Sequence, residues 1–96
     1  MGHVVQRIIG SDHPALAGHF PDNPIVPGVV LLTELLRAIE QTLSWEKGPV
    51  TVRAVKFMRL LRPNEPFTLR LEPLSDREVS FVVTRAQDRI AAGTVR

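Results

Sequence analysis

The sequence has 96 residues, which is enough for one folded domain and short for two. With 44% hydrophobic and 23% charged residues, its composition is that of an ordinary globular protein and argues against disorder. A net charge of only +2 and few aromatic residues argue against a nucleic-acid-binding protein, and the absence of cysteine excludes disulfides, thiolate nucleophiles and cysteine zinc sites.

The first predicted element is a strand at His3–Ile9, where β-branched residues dominate. No long apolar segment of a signal peptide precedes it, and no apolar run farther along is long enough to span a membrane. A cytoplasmic protein is therefore expected. Residues 10–28, GSDHPALAGHFPDNPIVPG, carry three glycines and four prolines, a composition typical of an ordered loop rather than a helix or a central strand.

The one convincing helix runs from Val29 to about Leu43, with Pro27 suited to its first turn. Its first two turns are apolar on most sides, so we expect the helix to be covered nearly all round. Steps of three or four residues form one polar stripe, made of Thr33, Arg37, Glu40, Gln41 and Ser44. The segment Glu46–Pro49 stops the helix, with Gly48 as a possible cap.

Strand patterns follow the helix to the end of the sequence, interrupted by turns at Arg62–Pro66 and at Gln87–Asp88. The predicted strands are Val50–Phe57, Phe67–Pro73, Arg77–Ala86 and Arg89–Val95. One helix covered by a mostly antiparallel sheet is an α+β architecture, and residues 1–96 form a single domain. A sheet that wraps around the helix in so short a chain leaves one edge and one face needing cover, which favours a dimer.

The segment His13–Leu32 resembles the active-site segment of 3-hydroxyacyl-[acyl-carrier-protein] dehydratases of the hotdog fold. The family pattern is Gly-His-Phe-Pro, two free positions, Pro, an aliphatic residue, one free position and then Pro-Gly-Val. In this sequence the matching residues are Gly18, His19, Phe20, Pro21, Pro24, Ile25, Pro27, Gly28 and Val29. The resemblance implies a hotdog fold, in which an antiparallel sheet wraps around one long central helix.

The resemblance also implies an enzyme, a hydro-lyase that removes water from a 3-hydroxyacyl thioester to give a trans-2-enoyl thioester. His19 stands where the family has its base, a task that suits an imidazole because its ordinary pKa of about 6.5 leaves it largely neutral at pH 7. Gly28 stands where a backbone N–H at the helix start binds the developing enolate oxygen. The family's acid, a Glu or Asp, comes from the helix of the other subunit, so the site lies at a dimer interface.

The family's acid lies fourteen positions after the histidine, and that position holds Thr33 in this sequence. Glu34 is the next residue, but one residue along a helix is a rotation of about 100°. Three alternatives stay open. Thr33 orients a water in a slow dehydratase, a one-residue bulge in the helix brings Glu34 into the site, or a different hotdog chain supplies the acid opposite His19.

Further residues of the chain are candidates for binding the substrate and its carrier. An acyl chain needs an apolar channel, and the residues expected to line it are Phe20, Pro27, Val29 and Leu32. A basic cluster is expected either to form a solvated face or to dock an acidic acyl carrier protein with its phosphopantetheine-linked acyl chain. Its members are Arg53, Lys56, Arg59 and Arg62. No cofactor, metal, nucleic acid or membrane is expected as a partner.

Three further polar residues have structural interpretations, and two other functions compete with a dehydratase. His3 and His13 are interpreted as structural residues, and Glu34 either pairs with Arg37 or faces the interface. A thioesterase of the same fold is disfavoured, because such enzymes lack the Gly-His-Phe-Pro loop. The main alternative to an enzyme is a non-catalytic or partner-dependent hotdog subunit that binds acyl chains or carrier protein, because Thr33 replaces the acid.

Overall fold

The computed structural model describes residues 2–16, 25–45 and 49–96. One turn of 3-10 helix at Pro14–Leu16 follows the first strand, and the other elements form a single sheet with one α-helix. These elements are β1 (His3–Arg7), α1 (Gly28–Leu43), β2 (Val52–Phe57), β3 (Phe67–Ser75), β4 (Glu78–Arg85) and β5 (Asp88–Val95).

The five strands form an antiparallel sheet in the order β1-β3-β4-β5-β2. Strands β3, β4 and β5 follow one another as a meander, since short turns suffice to connect antiparallel neighbours. The segment that contains α1 connects β1 at one edge to β2 at the other edge. The predicted α+β hotdog architecture, a single helix with an antiparallel sheet, is therefore confirmed.

The core forms where the alternating apolar side chains of the sheet meet the buried residues of α1. In β3 and β4 every second residue is buried over much of the strand. The helix contributes Val30, Leu31, Leu35, Ala38 and Ile39 to the same cluster. Its exposed residues are four apart and are Val29, Thr33, Arg37 and Gln41, and the cap residue Ser44 is exposed as well. The predicted polar stripe is thus largely confirmed, with Glu40 half-buried beside it.

Several predicted boundaries are wrong by one or two residues. β1 ends at Arg7, and Ile9 is instead a buried residue whose carbonyl oxygen accepts the Asn64 N–H at 2.7 Å. The turn between β4 and β5 is at residues 86–87, because Asp88 already pairs with Arg85. Ala86 allows this turn by adopting a φ of 53°.

The end of α1 also differs from the prediction. Ser44 has φ 56° and ψ 36°, so the backbone turns into the left-handed region there and ends the helix. The predicted cap, Gly48, lies outside the described residues. The start comes one residue early, at Gly28, and the Pro27 carbonyl oxygen accepts the N–H groups of Val30 and Leu31.

Strand β2 is exposed at each of its residues, whereas β1 at the other edge alternates half-buried and exposed residues. The pairing of Val55 with Gly93 and of Phe57 with Ala91 places these two side chains on the same sheet face as the core. Only the start of α1 reaches this edge, where Gly28 lies against Phe57, and the two side chains stay 36% and 46% exposed. The expectation that one edge needs further cover agrees with this exposure.

Candidate active site

The predicted helix-start glycine lies in close contact with the end of β2. A methyl group built on Gly28 would come within 2.9 Å of Phe57 Cζ, so any side chain here would require the ring to move. Val26, two residues before Gly28, is anchored too, because its N–H donates to the Leu61 carbonyl oxygen at 2.8 Å. The first N–H groups of a helix have no acceptor within the helix and are free to bind an anionic oxygen.

An apolar pocket of about 350 Å³ opens beside Gly28. Its walls are the residues that lead into α1, the first turns of α1, the segment that follows β2, and β5. The lining residues are Ile25, Val26, Pro27, Gly28, Leu31, Phe57, Arg59, Leu60, Leu61 and Ile90. Pocket size and lining suit a small apolar ligand. Among the predicted acyl-binding residues, Pro27 lines this pocket, and Phe20 lies outside the described residues.

The other two predicted acyl-binding residues lie elsewhere on α1. Leu32 is half-buried and packs against the core. Val29 is 70% exposed and lines a second, smaller pocket of about 170 Å³. The residues that line this second pocket are His13, Val29, Val30, Thr33, Glu34 and Arg37. We call it the Thr33 pocket.

The hydroxyl group of Thr33 donates a hydrogen bond within its own helix. Thr33 Oγ1 lies 2.8 Å from the Val29 carbonyl oxygen, one turn earlier. The hydroxyl proton is therefore engaged, while the oxygen lone pairs can still accept a hydrogen bond. Because α1 is α-helical without interruption from Gly28 to Leu43, no bulge brings Glu34 into the position of Thr33.

Glu34 is held by two arginines. Its carboxylate lies 3.7 Å from Arg7 Nε on β1 and 3.4 Å from Arg37 Nη1 on its own helix, and only 15% of its side chain is exposed. Arg7 also donates to Gln41 Oε1 at 2.7 Å. This arrangement ties β1 to α1, so the contacts of Glu34 are those of a structural ion pair. The sequence predicted the pairing with Arg37, whereas Arg7 depends on the position of β1 above the helix.

The four basic residues predicted to form a cluster differ in their surroundings, although all are exposed. Arg53 is the extra residue of a β-bulge in β2 and forms an ion pair with Glu78 at 3.0 Å. Arg59 lines the apolar pocket. Lys56 pairs with Ala92 on the sheet face opposite to Phe57, and Arg62 precedes the turn to β3.

Two predicted site residues are not described by the structure, and two other residues have positions that the sequence did not predict. His19, the predicted base, lies outside the described residues, as does Phe20. His13, which the sequence suggested to be structural, lines the Thr33 pocket, and Phe57 was overlooked although it contacts Gly28. No sequence pattern indicates either contact, because both join residues from distant parts of the chain.

The described part of the chain contains neither a metal-binding cluster nor a membrane-spanning helix. No group of three or more His, Cys, Asp or Glu side chains among residues 2–16, 25–45 and 49–96 is placed to hold a metal ion. In the same ranges, no helix is long and apolar enough to cross a membrane.

Comparison with known proteins identifies a family. The ApeI-like family, described as ApeI dehydratase, matches residues 3–94. A curated relative, the 3-hydroxyacyl-[acyl-carrier-protein] dehydratase FabZ of Chloroflexus aggregans, is 33% identical over 81 residues, which cover 77% of this chain and 55% of the relative. The chain thus spans about half the length of the curated relatives that it matches.

Solved structures share the fold at low sequence identity. The dehydratase heterocomplex ApeI:P from Xenorhabdus doucetiae superposes with a TM-score of 0.81 at 19% identity, covering 99% of this chain and 85% of that chain. The (R)-hydratase from A. caviae involved in PHA biosynthesis gives a TM-score of 0.75 at 15% identity, covering 100% and 93%.

Proposed function

The chain belongs to the ApeI-like dehydratase family, and from this premise we propose that it dehydrates 3-hydroxyacyl thioesters of acyl carrier protein to trans-2-enoyl thioesters. The pathway is lipid biosynthesis of the fatty-acid type or of the polyene and polyketide type. The observation that carries the proposal is the helix start at Gly28, which opens onto an apolar pocket of about 350 Å³. An acyl thioester needs these two features side by side.

The proposed reaction divides into two proton transfers. His19 takes the proton from the carbon next to the thioester carbonyl, and the negative charge that develops on the carbonyl oxygen is stabilised by the Gly28 N–H and the positive end of the α1 dipole. The electrons of the broken C–H bond form the new double bond as the 3-hydroxyl group leaves. A proton donor must convert this hydroxyl group to water, and such a donor contributes about 10²- to 10⁴-fold to the rate.

The apolar pocket supports an acyl chain as the ligand, with Pro27 and Leu31 on the helix side and Phe57 on the β2 side. We propose that Arg59, the charged residue of this lining, attracts the phosphate of the phosphopantetheine group as the arm enters. Arg53, Lys56 and Arg62 complete the proposed carrier-protein docking surface. Arg53 contributes least because Glu78 already compensates its charge.

We propose a second hotdog subunit as the partner of the exposed β2 edge. Val52, Val55 and Phe57 expose apolar side chains there, and Val29 does so on α1. Exposed apolar surface together with free edge hydrogen-bonding groups favours pairing with another strand. The partner is a second copy of this chain or a related chain, and the Xenorhabdus doucetiae neighbour is a heterocomplex. A cytoplasmic location stays a prediction.

A partner-dependent subunit is the second candidate function. It is favoured by Thr33, whose hydroxyl proton is engaged by Val29, and by Glu34, which two arginines hold. In a heterodimer, His19 of this chain would work with the acid of the related chain, and the Thr33 side would contribute binding alone.

The two candidates are separated by an assay of enoyl thioester formation from 3-hydroxyacyl-carrier-protein substrates, with and without a neighbouring hotdog protein. We expect dehydration in one of these conditions and its loss in His19→Ala, while the matched control His3→Ala retains it. Activity of the chain alone supports the homodimeric enzyme, whereas activity only with the second protein supports the partner-dependent subunit. If His19→Ala has no effect in either condition, the proposed function is wrong.

A further inference from the structure

The segment that forms the exposed β2 edge carries positive charge and no negative charge. Residues 49–64 contain no Asp or Glu but four basic residues, which are Arg53, Lys56, Arg59 and Arg62. Arg53 forms an ion pair with Glu78 at 3.0 Å, and Arg62 lies near the Glu65 carboxylate. The other two form no ion pair within the part of the chain that the structure describes. This edge therefore has uncompensated positive charge.

The backbone of β2 has a free side at the end of the sheet. The Met58 N–H donates to the Ile90 carbonyl oxygen of β5 at 2.8 Å. Hydrogen-bonded and non-hydrogen-bonded pairs alternate along an antiparallel ladder, so Lys56 also bonds to β5, whereas Val55 and Phe57 direct their backbone groups to the free side. A further antiparallel strand would bond to these two residues.

The two faces of β2 differ in chemistry. Val55 and Phe57 lie on the core face and are 36% and 46% exposed. Lys56 lies on the opposite face, where its neighbour on β5 is Ala92. A strand that pairs with β2 should therefore present apolar side chains on the core face and carboxylates on the opposite face, opposite Lys56.

A second copy of the chain does not meet this requirement. In a two-fold antiparallel pair the axis passes through Val55, Lys56 or Phe57, since the residues with free backbone groups must face each other. With the axis at Lys56, the two lysines are directly opposite, with Cα atoms about 4.5 Å apart. With either other axis they are diagonal neighbours at about 7–8 Å. Each register thus brings two positive charges together, and the segment offers no anion between them.

We propose that β2 pairs with the edge strand of a different hotdog chain, whose carboxylates lie opposite Lys56 and whose apolar side chains meet Val55 and Phe57. The inference rests on the part of the proposed function that places a second hotdog subunit at this edge. It selects the related chain over the second copy, because opposite charges across an interface favour the right partner and like charges disfavour the wrong one.

The choice of partner reaches the candidate active site through Phe57. This last residue of β2 lies against Gly28 at the start of α1, so a strand paired with β2 lies beside the apolar pocket. Val29, the next residue of α1, is 70% exposed and gives the second chain further apolar surface. The hydroxyl proton of Thr33 is engaged by Val29, so the acid that the reaction needs would come from this second chain.

The test mixes two versions of the full chain that differ in one charge. Lys56→Glu changes an exposed residue, and its mixture with wild type places a carboxylate near Lys56. We expect the mixed pair to associate about tenfold more tightly than either chain with itself at low salt. Added salt should weaken the mixed pair and strengthen both self-pairs, because it screens attraction and repulsion alike. Sedimentation equilibrium with one chain labelled measures these affinities, without carrier protein, because Lys56 belongs to the proposed docking surface.

The matched control is Arg70→Glu. Arg70 is exposed on the same sheet face as Lys56, but it lies on β3, and β4 and β5 separate it from β2. Its mixture with wild type should associate no more tightly than wild type with itself. Wild type that self-associates as tightly as its mixture with Lys56→Glu would overturn the inference, and so would a mixture that does not associate.

The neighbouring hotdog protein of the activity assay provides a second measurement. Wild type and Arg70→Glu should bind it equally, and Lys56→Glu about tenfold more weakly. Equal binding by Lys56→Glu would count against the proposed strand pairing. These results are independent of catalysis. If the chains associate as expected but form no enoyl thioester, the proposed dehydration fails and the pairing stands, whereas an active wild-type homodimer supports the dehydration and overturns only the inference.

Discussion

The central strands of the sheet and its β2 edge have similar alternating apolar patterns, but their side chains are buried to very different extents. In β3 and β4, Leu69, Leu71, Val79 and Phe81 face α1 and are at most 2% exposed. In β2, Val52, Val55 and Phe57 point to the same side of the sheet but keep 36–46% of their surface exposed. The difference arises because the helix covers the central strands, whereas only its start reaches the β2 edge. The candidate site lies at this boundary, where apolar surface is available for a ligand or a second chain.

The largest expected loss of stability comes from Leu35, which is buried in the core, and it is compared with that from Phe57 at the β2 edge. Leu35→Ala leaves a cavity under β3 and β4, because Leu35 is fully buried, and should lower the free energy of unfolding by about 2–5 kcal/mol. Phe57→Ala should cost about 1 kcal/mol in dilute protein, since the ring is half exposed. Urea unfolding measures both. If Phe57→Ala lowered the free energy of unfolding as much as Leu35→Ala at every protein concentration, the β2 edge would be covered within a single chain.

The next largest effect is expected at Gly93, where a substitution should separate β2 from the rest of the sheet. Gly93 of β5 pairs with both Phe81 and Val55, and a methyl group there would clash with the Ala54 carbonyl oxygen and lie 2.9 Å from Phe81 Cζ. Gly93→Ala should therefore separate β2 from β5 and lower the free energy of unfolding by about 1–3 kcal/mol. Thr94→Ala is the neighbouring control. Unchanged hydrogen-exchange protection of the β2 amides in Gly93→Ala would contradict this account.

A smaller effect on stability, which depends on pH, is expected for Glu65 in the segment that connects β2 to β3. The Glu65 carboxylate accepts the Arg62 N–H at 2.7 Å and pairs with Arg85 at 3.1 Å, and Arg85 also donates to the Leu60 carbonyl oxygen. The hydrogen bond from Arg62 is the main cause that lowers the pKa of Glu65; partial burial opposes it, and the charge of Arg85 lowers the pKa further.

The sign of the pH effect follows from that lowered pKa. Stabilisation by Glu65 is complete above the ordinary glutamate pKa of about 4.3 and is lost as pH falls through the lower folded-state pKa. Glu65→Gln should therefore be less stable than wild type at pH 7 and equal to it in strong acid, as measured by urea unfolding. Asp76→Asn, in the exposed turn before β4, controls for the loss of one charge. A difference that persists unchanged in acid would contradict this role.

The smallest effect on stability is expected at Ala86. Ala86 has a φ of 53° in the turn between β4 and β5, a region that costs L-residues about 1–2 kcal/mol. Ala86→Gly should raise the free energy of unfolding by about 0.5–1 kcal/mol, because glycine adopts this φ without strain but loses more conformational entropy. Thermal unfolding measures it. A lowered Tm would show that the entropy term exceeds the strain.

Local patterns predicted most elements of this fold because each depends on neighbouring residues. The alternation of β3 and β4 and the apolar turns of α1 follow from side-chain period alone. Boundaries were less accurate. Ser44 and Ala86 turn the backbone in the left-handed region without glycine, and β1 stops at Arg7 because the chain turns there to meet Asn64.

The candidate site was predicted only in part, for a similar reason. The motif indicated Gly28 through its place after Pro27, and the resemblance predicts that Thr33 stands at the acid position. Neither the contact of Phe57 with Gly28 nor the place of His13 in the lining of the Thr33 pocket follows from any spacing. Such contacts join residues that the chain brings together only after the helix packs on the sheet.

By itself, the sequence determined the α+β architecture and the extent of the helix to within about one residue, and it predicts that Thr33 stands at the acid position. These follow from side-chain periodicity and from residue identity, which are local properties. Only the tertiary structure decided that Glu34 is held by Arg7, that β2 stays exposed and that His13 and Thr33 line one pocket. These depend on which surfaces meet when the core forms, and burial is a property of the whole chain.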